Sequence, residues 1–474
     1  MNTRANPPSR RQRALALLLG LALLFGWSGL PAAPAQAQAQ APAPTVAAGP
    51  ADVASALQPL QEAYALLLER YATPLDPVQL ADAAEQGMVK ALEDEGVPTP
   101  PPGLGTVGNV ASQRWAALRQ RFQALAARYS DVLSPTDLAY AAIRGMTDSI
   151  DDAHTNFISP QQFEEERRWE QGDVQYGGIG ARMRGPDATI IEVFPDSPAE
   201  RAGLGPGDTI VAVDGRSVTD MKLDEVIDLV RGQEGTTVTL GVRRATSGQV
   251  EQINIVRAQV SMPFVSARML PGNYGYVQLR GFPEPSVIGE VEQAILGQQR
   301  DGAHGIILDL RGNGGGRLDV GSRLLARFVP DGPIYQSVDR QGHQETVNVQ
   351  NAHPILTVPL VLLVDEGTAS MGEVFAAAIQ EHKVGRVLGT TTAGAVAASV
   401  FLPLSDGSAL QLSIEQVYSG GGALLDKVGV HPDEEVELDL GALRSGHDSQ
   451  LERALSVLQS EASAHTVAPT GAGR

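Results

Sequence analysis

The sequence predicts a multidomain α/β protein: a helical N-terminal segment, a β-rich module with short helices, and an α/β core. Three observations predict it. Apolar residues recur at helical spacing from Val53 to about Arg168. Short β-branched runs punctuated by Gly and Asp fill the stretch from about Gly172 to Arg257, and strand-like and helical stretches then alternate from Met262 to about Leu440. A length of 474 residues allows two or three separate cores.

Taken in order, the chain opens with Arg4, Arg10, Arg11 and Arg13, an apolar stretch from Ala14 to Trp27, and the small-residue run Ala35-Gln-Ala37-Gln-Ala39. This is the order of a secretory signal, placed at 1–37, and it predicts export to a periplasmic or extracellular location. An uncleaved membrane anchor is the other reading of so short an apolar core. No later stretch is long and apolar enough to predict a membrane span. Residues 38–50 read as an Ala/Pro/Gln-rich linker.

The helical region is assigned to 51–170 and holds an internal echo. Leu75-x-Pro77-x-x-Leu80-x-x-Ala-Ala84-x-x-Gly87-Met88 recurs 58 residues later as Leu133-x-Pro135-x-x-Leu138-x-x-Ala-Ala142-x-x-Gly145-Met146. Proline at a helix start with Leu, Ala and Met on one face suits two similar helical hairpins packed on the core.

Residues 171–260 form the β-rich module. Tyr176-Gly-Gly-Ile-Gly180 precedes a strand from Thr189 to Phe194, and Ser197-Pro-Ala leads through Gly207-Asp208 into Ile210-Val-Ala-Val-Asp-Gly215. A helix from Leu223 to Arg231 and a strand from Thr236 to Arg243 complete it. Over its whole length this pattern resembles a PDZ domain. The resemblance implies that Tyr176, Gly177, Gly178, Ile179 and Gly180 form a loop whose backbone N–H groups capture the carboxylate of a peptide added as a strand. A spacer role for the module is the alternative.

The core is assigned to 261–440, with strands at Tyr274 to Leu279, Gly305 to Leu310 and Leu360 to Val364, and helices after Pro283, Arg317 and Ser370. Residues 441–474 read as an amphipathic helix with Leu451, Leu455 and Leu458, followed by a tail. A net charge of −19 without a basic cluster argues against nucleic acid. The absence of cysteine excludes a thiol nucleophile, thiolate metal sites and disulfides. His382 and His431 stand singly, so neither a metal nor any other cofactor is expected.

The chemistry centres on Ser370. Pro359-Leu-Val-Leu-Leu-Val-Asp-Glu-Gly-Thr-Ala-Ser370 reads as a buried strand and a tight turn, and Met371 to Ile379 as a helix. A serine at that junction sits among unpaired N–H groups at a helix N-terminus, as a nucleophile beside an oxyanion hole requires. Ile306-Ile-Leu-Asp-Leu-Arg-Gly-Asn-Gly-Gly-Gly316 runs from a strand into a glycine loop. A phosphate loop is excluded there because no Gly-Lys-Ser/Thr follows.

Together with Phe401-Leu-Pro-Leu-Ser-Asp-Gly and Val428-Gly-Val-His-Pro-Asp433, these segments resemble the C-terminal processing peptidases, also called tail-specific proteases. The similarity covers roughly three quarters of the chain. It implies a ClpP/crotonase-like serine peptidase core that cleaves protein or peptide substrates with an exposed C-terminal tail, while oligomeric state is left open. It also implies an oxyanion hole from Gly314 or Gly315 with Met371.

Two positions depart from the family pattern. Ala395, 25 residues after Ser370, stands where the family has its catalytic lysine, and Ser399 replaces the supporting glutamine. In related tricorn-type proteases a histidine serves instead, which implies His154, in Asp151-Asp-Ala-His154, as base and Asp426 as its orienting carboxylate. Asp433, Glu434 and Asp365 are alternatives to Asp426, and Lys383 and Lys427 are alternative bases. A catalytically inactive, peptide-binding relative is the alternative function.

Overall fold

The structure is a computed structural model, which describes residues 50–98, 103, 110–170, 175–184, 187–261 and 263–467. The expected export signal, and the expected linker up to residue 49, lie outside the described residues; Pro50 begins a helix. Among the described residues no helix is long and apolar enough to cross a membrane.

Among the described residues four helices build the N-terminal part: α1 (Pro50–Arg70), α2 (Pro77–Asp94), α3 (Ala111–Tyr129) and α4 (Pro135–Asp148). The two copies of the echoed motif are α2 and α4. Each begins with proline after a capping side chain: Asp76 accepts from Val78 N, and Ser134 from Asp137 N. The two copies pack on each other as well as on the body. Gly87 and Gly145, equivalent residues of the two copies, meet at the crossing. A Cβ on Gly87 would stand 2.2 Å from Ala141 O, and one on Gly145 would stand 2.4 Å from Ala83 O. Glycine is therefore required at both positions for the backbones to approach. Leu80, Met88, Leu138 and Met146 line the resulting core, which continues onto Leu404, Leu410 and Leu412 of the body.

The β-rich module is a sheet in the order Ala181–Arg184, Thr189–Val193, Thr209–Val213, Thr237–Arg243, Val250–Val256, with Arg216–Ser217 beside the third strand. Ala181–Arg184 is an edge strand. The stretch Gln175–Gly178 leaves this sheet and pairs antiparallel with Ala258–Ser261. Ile179, expected in the carboxylate loop, is 2 % exposed and belongs to the module's apolar core. Gly180 takes φ +78°, and a Cβ there would meet the Ser197 side chain at 2.4 Å.

The core holds a six-stranded sheet in the order Val265–Leu270, Tyr274–Leu279, Ile306–Asp309, Leu360–Val364, Arg386–Gly389, Glu434–Glu435. All pairings after the first are parallel. Its central strands are buried throughout, as a parallel sheet covered on both faces demands. Helices Ser286–Arg300, Leu318–Leu325 and Met371–Glu381 contribute to the core on one face, while Ser449–Val467 packs Ala454, Val457 and Leu458 against the other. A second sheet joins Asn156–Ile158, Ala397–Pro403, Ala409–Ser419, Pro333–Asp339 and Gln344–Asn348. This sheet carries the chain just after His154 to the body: Asn156, Phe157 and Ile158 pair with Gln411, Leu410 and Ala409.

Candidate active site

Two central strands of the parallel sheet end side by side, and the turns that follow them form the site. Asp309 and Arg311, at the end of the first, are buried. Arg311 bonds Asp309 (Nη2–Oδ2 2.7 Å) and reaches Asp448 (2.9 Å) and Gln450 (3.0 Å) at the start of the last helix. Asp309 is held below the usual carboxylate range: burial opposes its ionisation, and the Arg311 charge and hydrogen bonds outweigh burial. The pair fixes where the glycine loop starts. Beyond it, Asn313 Nδ2 donates to Leu279 O (2.9 Å), and Asn313 O accepts from Ala369 N (2.9 Å).

Ser370 follows the second strand and caps the helix Met371–Glu381 with φ 53° and ψ −121°. A non-glycine residue in this region is strained, and such strain at a strand-to-helix turn lifts a side chain clear of the sheet. Gly315 packs directly beneath: a Cβ there would stand 2.6 Å from Ser370 Cβ and 3.0 Å from Met371 N. Of the two glycines expected to offer an oxyanion donor, Gly315 uses its N–H internally, donating to Asn313 Oδ1 (2.9 Å). Among the described residues the N–H groups of Gly314 and Met371 have no acceptor, and the surroundings of Gly314 are open. Those two amides are free donors beside Ser370.

His154 lies in a turn braced by Asp152, whose Oδ1 accepts from His154 N (2.9 Å) and whose Oδ2 accepts from Thr155 Oγ1 (2.7 Å). Thr155 Oγ1 in turn accepts from Ser413 N (3.2 Å), and burial together with the Asp152 charge raises the pKa of Tyr71. The imidazole Nδ1 is buried without a partner among the described residues. Burial lowers the pKa of His154, and the charges of Asp152 and Asp426 oppose that shift. Burial raises the pKa of Asp426, with partial relief from the Val396 amide at 3.5 Å.

A cavity of about 450 Å³, lined among others by Asp148, Asp151, Asp152, Gly394, Asp426 and Lys427, opens beside this turn. The strip 394–396 joins it to the nucleophile: Gly394 lines the cavity, Ala395 O accepts from Ser370 N (2.8 Å), and Val396 N faces Asp426. Asp426 and Ser370 thus border one strip, and His154 stands in the turn beside the cavity, within reach of the Asp426 charge. No hydrogen bond joins His154 to Ser370 or to Asp426.

The alternatives are engaged elsewhere. Asp365 Oδ1 accepts from Gly312 N (2.7 Å) and Gly367 N (3.0 Å), bracing the two turns. Asp433 bonds Gln380 and Val387 N, and Glu434 pairs with Arg386 and Arg453. Lys427 pairs with Asp151 (2.6 Å), a bond that raises its pKa and keeps it protonated. Lys383 follows the far end of the Ser370 helix. Sequence reasoning missed Asp152, Asn313 and Glu373. Only Glu373 carried a local signal, three residues past an N-cap serine.

The β-rich module touches the glycine loop. Arg182 donates from Nη1 to Arg311 O (2.8 Å), Arg184 pairs with Glu366, and Arg280 of the core bonds Glu192 (2.6 Å). Among the described residues the outer edge of Ala181–Arg184 carries no strand.

Comparison with known proteins agrees with this architecture. Residues 273–436 match the model of peptidase family S41, and residues 189–244 that of a PDZ domain. The carboxy-terminal processing protease CtpA of Bacillus subtilis is 31% identical over 333 residues, covering 70% of each chain. The carboxyl-terminal-processing protease of Synechocystis sp. is 30% identical over 357 residues, covering 73% of this chain and 81% of that one. Among solved structures, the photosystem II D1 C-terminal processing protease superposes with a TM-score of 0.54 at 26% identity, over 85% of this chain and 97% of that one. With its nucleophile turn, glycine loop and PDZ module in one chain, this protein belongs to peptidase family S41, the carboxyl-terminal processing serine proteases.

Proposed function

We propose that this serine peptidase is exported and cleaves proteins bearing an exposed apolar C-terminal tail, with Ser370 as nucleophile, His154 as general base and Asp426 as the carboxylate that orients it. One observation carries the choice of base. Where the family lysine is absent, a half-buried imidazole with an unpartnered Nδ1 stands in the turn beside the cavity that Gly394 and Asp426 line, under the influence of two carboxylates. Its lowered pKa keeps it neutral, and so basic, at neutral pH.

In this proposal the missing His154 hydrogen bonds form with substrate in place, since catalytic hydrogen bonds are often long in free enzymes. Ser370 Oγ attacks the scissile carbonyl carbon as His154 takes its proton. The N–H groups of Gly314 and Met371 receive the oxyanion. The carbon–nitrogen bond breaks with return of that proton to the leaving amine, and water then hydrolyses the acyl-enzyme. Substrate tails add to the open edge of Ala181–Arg184 in the PDZ module, with residues 177–180 at their carboxylate.

The test is covalent labelling by a fluorophosphonate. Wild type is expected to label, and Ser370→Ala and His154→Ala are expected not to. Undiminished labelling of His154→Ala removes the histidine from the mechanism.

A further inference from the structure

One buried ionisable group has no part in that proton traffic. Glu373, on the first turn of the Ser370 helix, is 0 % exposed, and no basic side chain pairs with it among the described residues. Its charge is met by four donors instead. Oε1 accepts from Thr392 Oγ1 (2.5 Å) and Gly394 N (2.8 Å), and Oε2 from Ala395 N (2.9 Å) and Ser370 N (3.1 Å). Burial without a cation raises the pKa of Glu373, and the four donors oppose that rise.

Three of the four donors come from 392–395, a segment without regular secondary structure. The fourth is the amide of the nucleophile. Two backbone bonds already join these pieces of chain, Ser370 N to Ala395 O (2.8 Å) and Ala393 N to Thr368 O (2.9 Å), and the carboxylate adds four bonds that brace the same junction. On one side it holds the residue whose left-handed backbone presents Oγ. On the other it holds the strip that lines the cavity and faces Asp426.

We propose that Glu373 is a positioning residue of the hydrolytic reaction, pinning 392–395 to the Ser370 amide so that nucleophile and base keep a common register. The inference rests on Ser370 as nucleophile and is independent of which group acts as base. Only a carboxylate satisfies the site. Glutamine matches its volume, but its NH₂ would face N–H donors in place of one oxygen.

Glu373→Gln tests the idea through two readouts. With a labelled peptide bearing a free apolar C-terminus, kcat is expected to fall about 100-fold while KM stays within about 2-fold, the pattern of a site displaced by about 1 Å. Amide hydrogen exchange is expected to quicken across 392–396 and to stay unchanged in the strand Leu360–Val364. Wild-type kcat in Glu373→Gln, or unchanged exchange at 392–396, overturns the proposal. Should that variant not fold, Thr392→Val removes one donor to Glu373, freeing also the Val430 amide (2.7 Å), and is expected to lose about 10-fold in kcat with the same local exchange signature. Wild-type kcat with unchanged exchange in Thr392→Val overturns the proposal equally. Exchange decides the pinning even in His154→Ala, where loss of labelling with unchanged exchange separates the base from its scaffold.

Discussion

Gly315→Ala is the most direct challenge to the site geometry. The added Cβ would stand 2.6 Å from Ser370 Cβ, 2.9 Å from Ala369 O and 3.0 Å from Met371 N, where ordinary contact begins at 3.4 Å. Ser370 must therefore retreat by about 0.8 Å or the loop must lift by as much. Neither is easy, because Gly315 O accepts from Phe282 N (2.9 Å) and its N–H is held by Asn313. At φ +96°, alanine also pays a backbone penalty of about 1–2 kcal/mol. With about 1–3 kcal/mol for overpacking, the whole loss is about 2–5 kcal/mol. A nucleophile displaced by nearly 1 Å loses about 100-fold in rate. Urea denaturation measures the first quantity, and the second-order rate of fluorophosphonate labelling the second. Gly314→Ala, whose Cβ enters open space, should unfold at the wild-type midpoint. If Gly315→Ala matches wild type in both stability and labelling, the contact between the glycine loop and the nucleophile turn is wrong.

Other predictions follow from packing and charge. The acid limb of kcat/KM should lie below pH 6.5, since burial depresses His154 and activity is lost as pH falls through its folded value; a profile still rising above pH 9 would indicate an amine base. By linkage, the folded state binds fewer protons at His154 than the unfolded state, so the histidine's contribution to stability also declines as pH drops below 6.5. Gly87→Ala should destabilise by about 1–3 kcal/mol despite alanine's better helix propensity, because its Cβ meets Ala141 O at 2.2 Å. Gly289→Ala, in open space on a helix, should stabilise by about 0.5–1 kcal/mol, and thermal melts compare the two. Asp309→Ala leaves the buried Arg311 guanidinium with Asp448 and Gln450 alone and should cost about 1–3 kcal/mol by chemical denaturation.

Much of the fold is legible because the signals are local. The all-apolar run Leu360–Val364 has the length and turn flanks of a buried strand, and the helix after Ser370 follows from its N-cap and alanines. The hairpin of Pro333–Asp339 and Gln344–Asn348 was not read, since its exposed second strand lacks an apolar pattern. The site was legible only where chemistry is written in consecutive residues. Ser370 and the glycine loop are of this kind. The Glu373 hub is not, because its donors arrive from about 20 residues downstream, and backbone amides have no residue type to recognise. The internal use of the Gly315 N–H hangs on one Asn313 rotamer, and the meeting of Gly87 with Gly145 on a helix crossing, both of which are tertiary facts.

The ion pair between Arg311 and Asp448 bears on how shortened forms of the chain must be interpreted. A version ending before residue 448 loses Asp448 and Gln450 together, and with them the apolar cover of Ala454, Val457 and Leu458. Arg311 would keep only Asp309, at the strand end from which the glycine loop departs. Silence from such a protein would then report a loosened floor under the oxyanion donors, in a chain that still carries Ser370, His154 and Asp426.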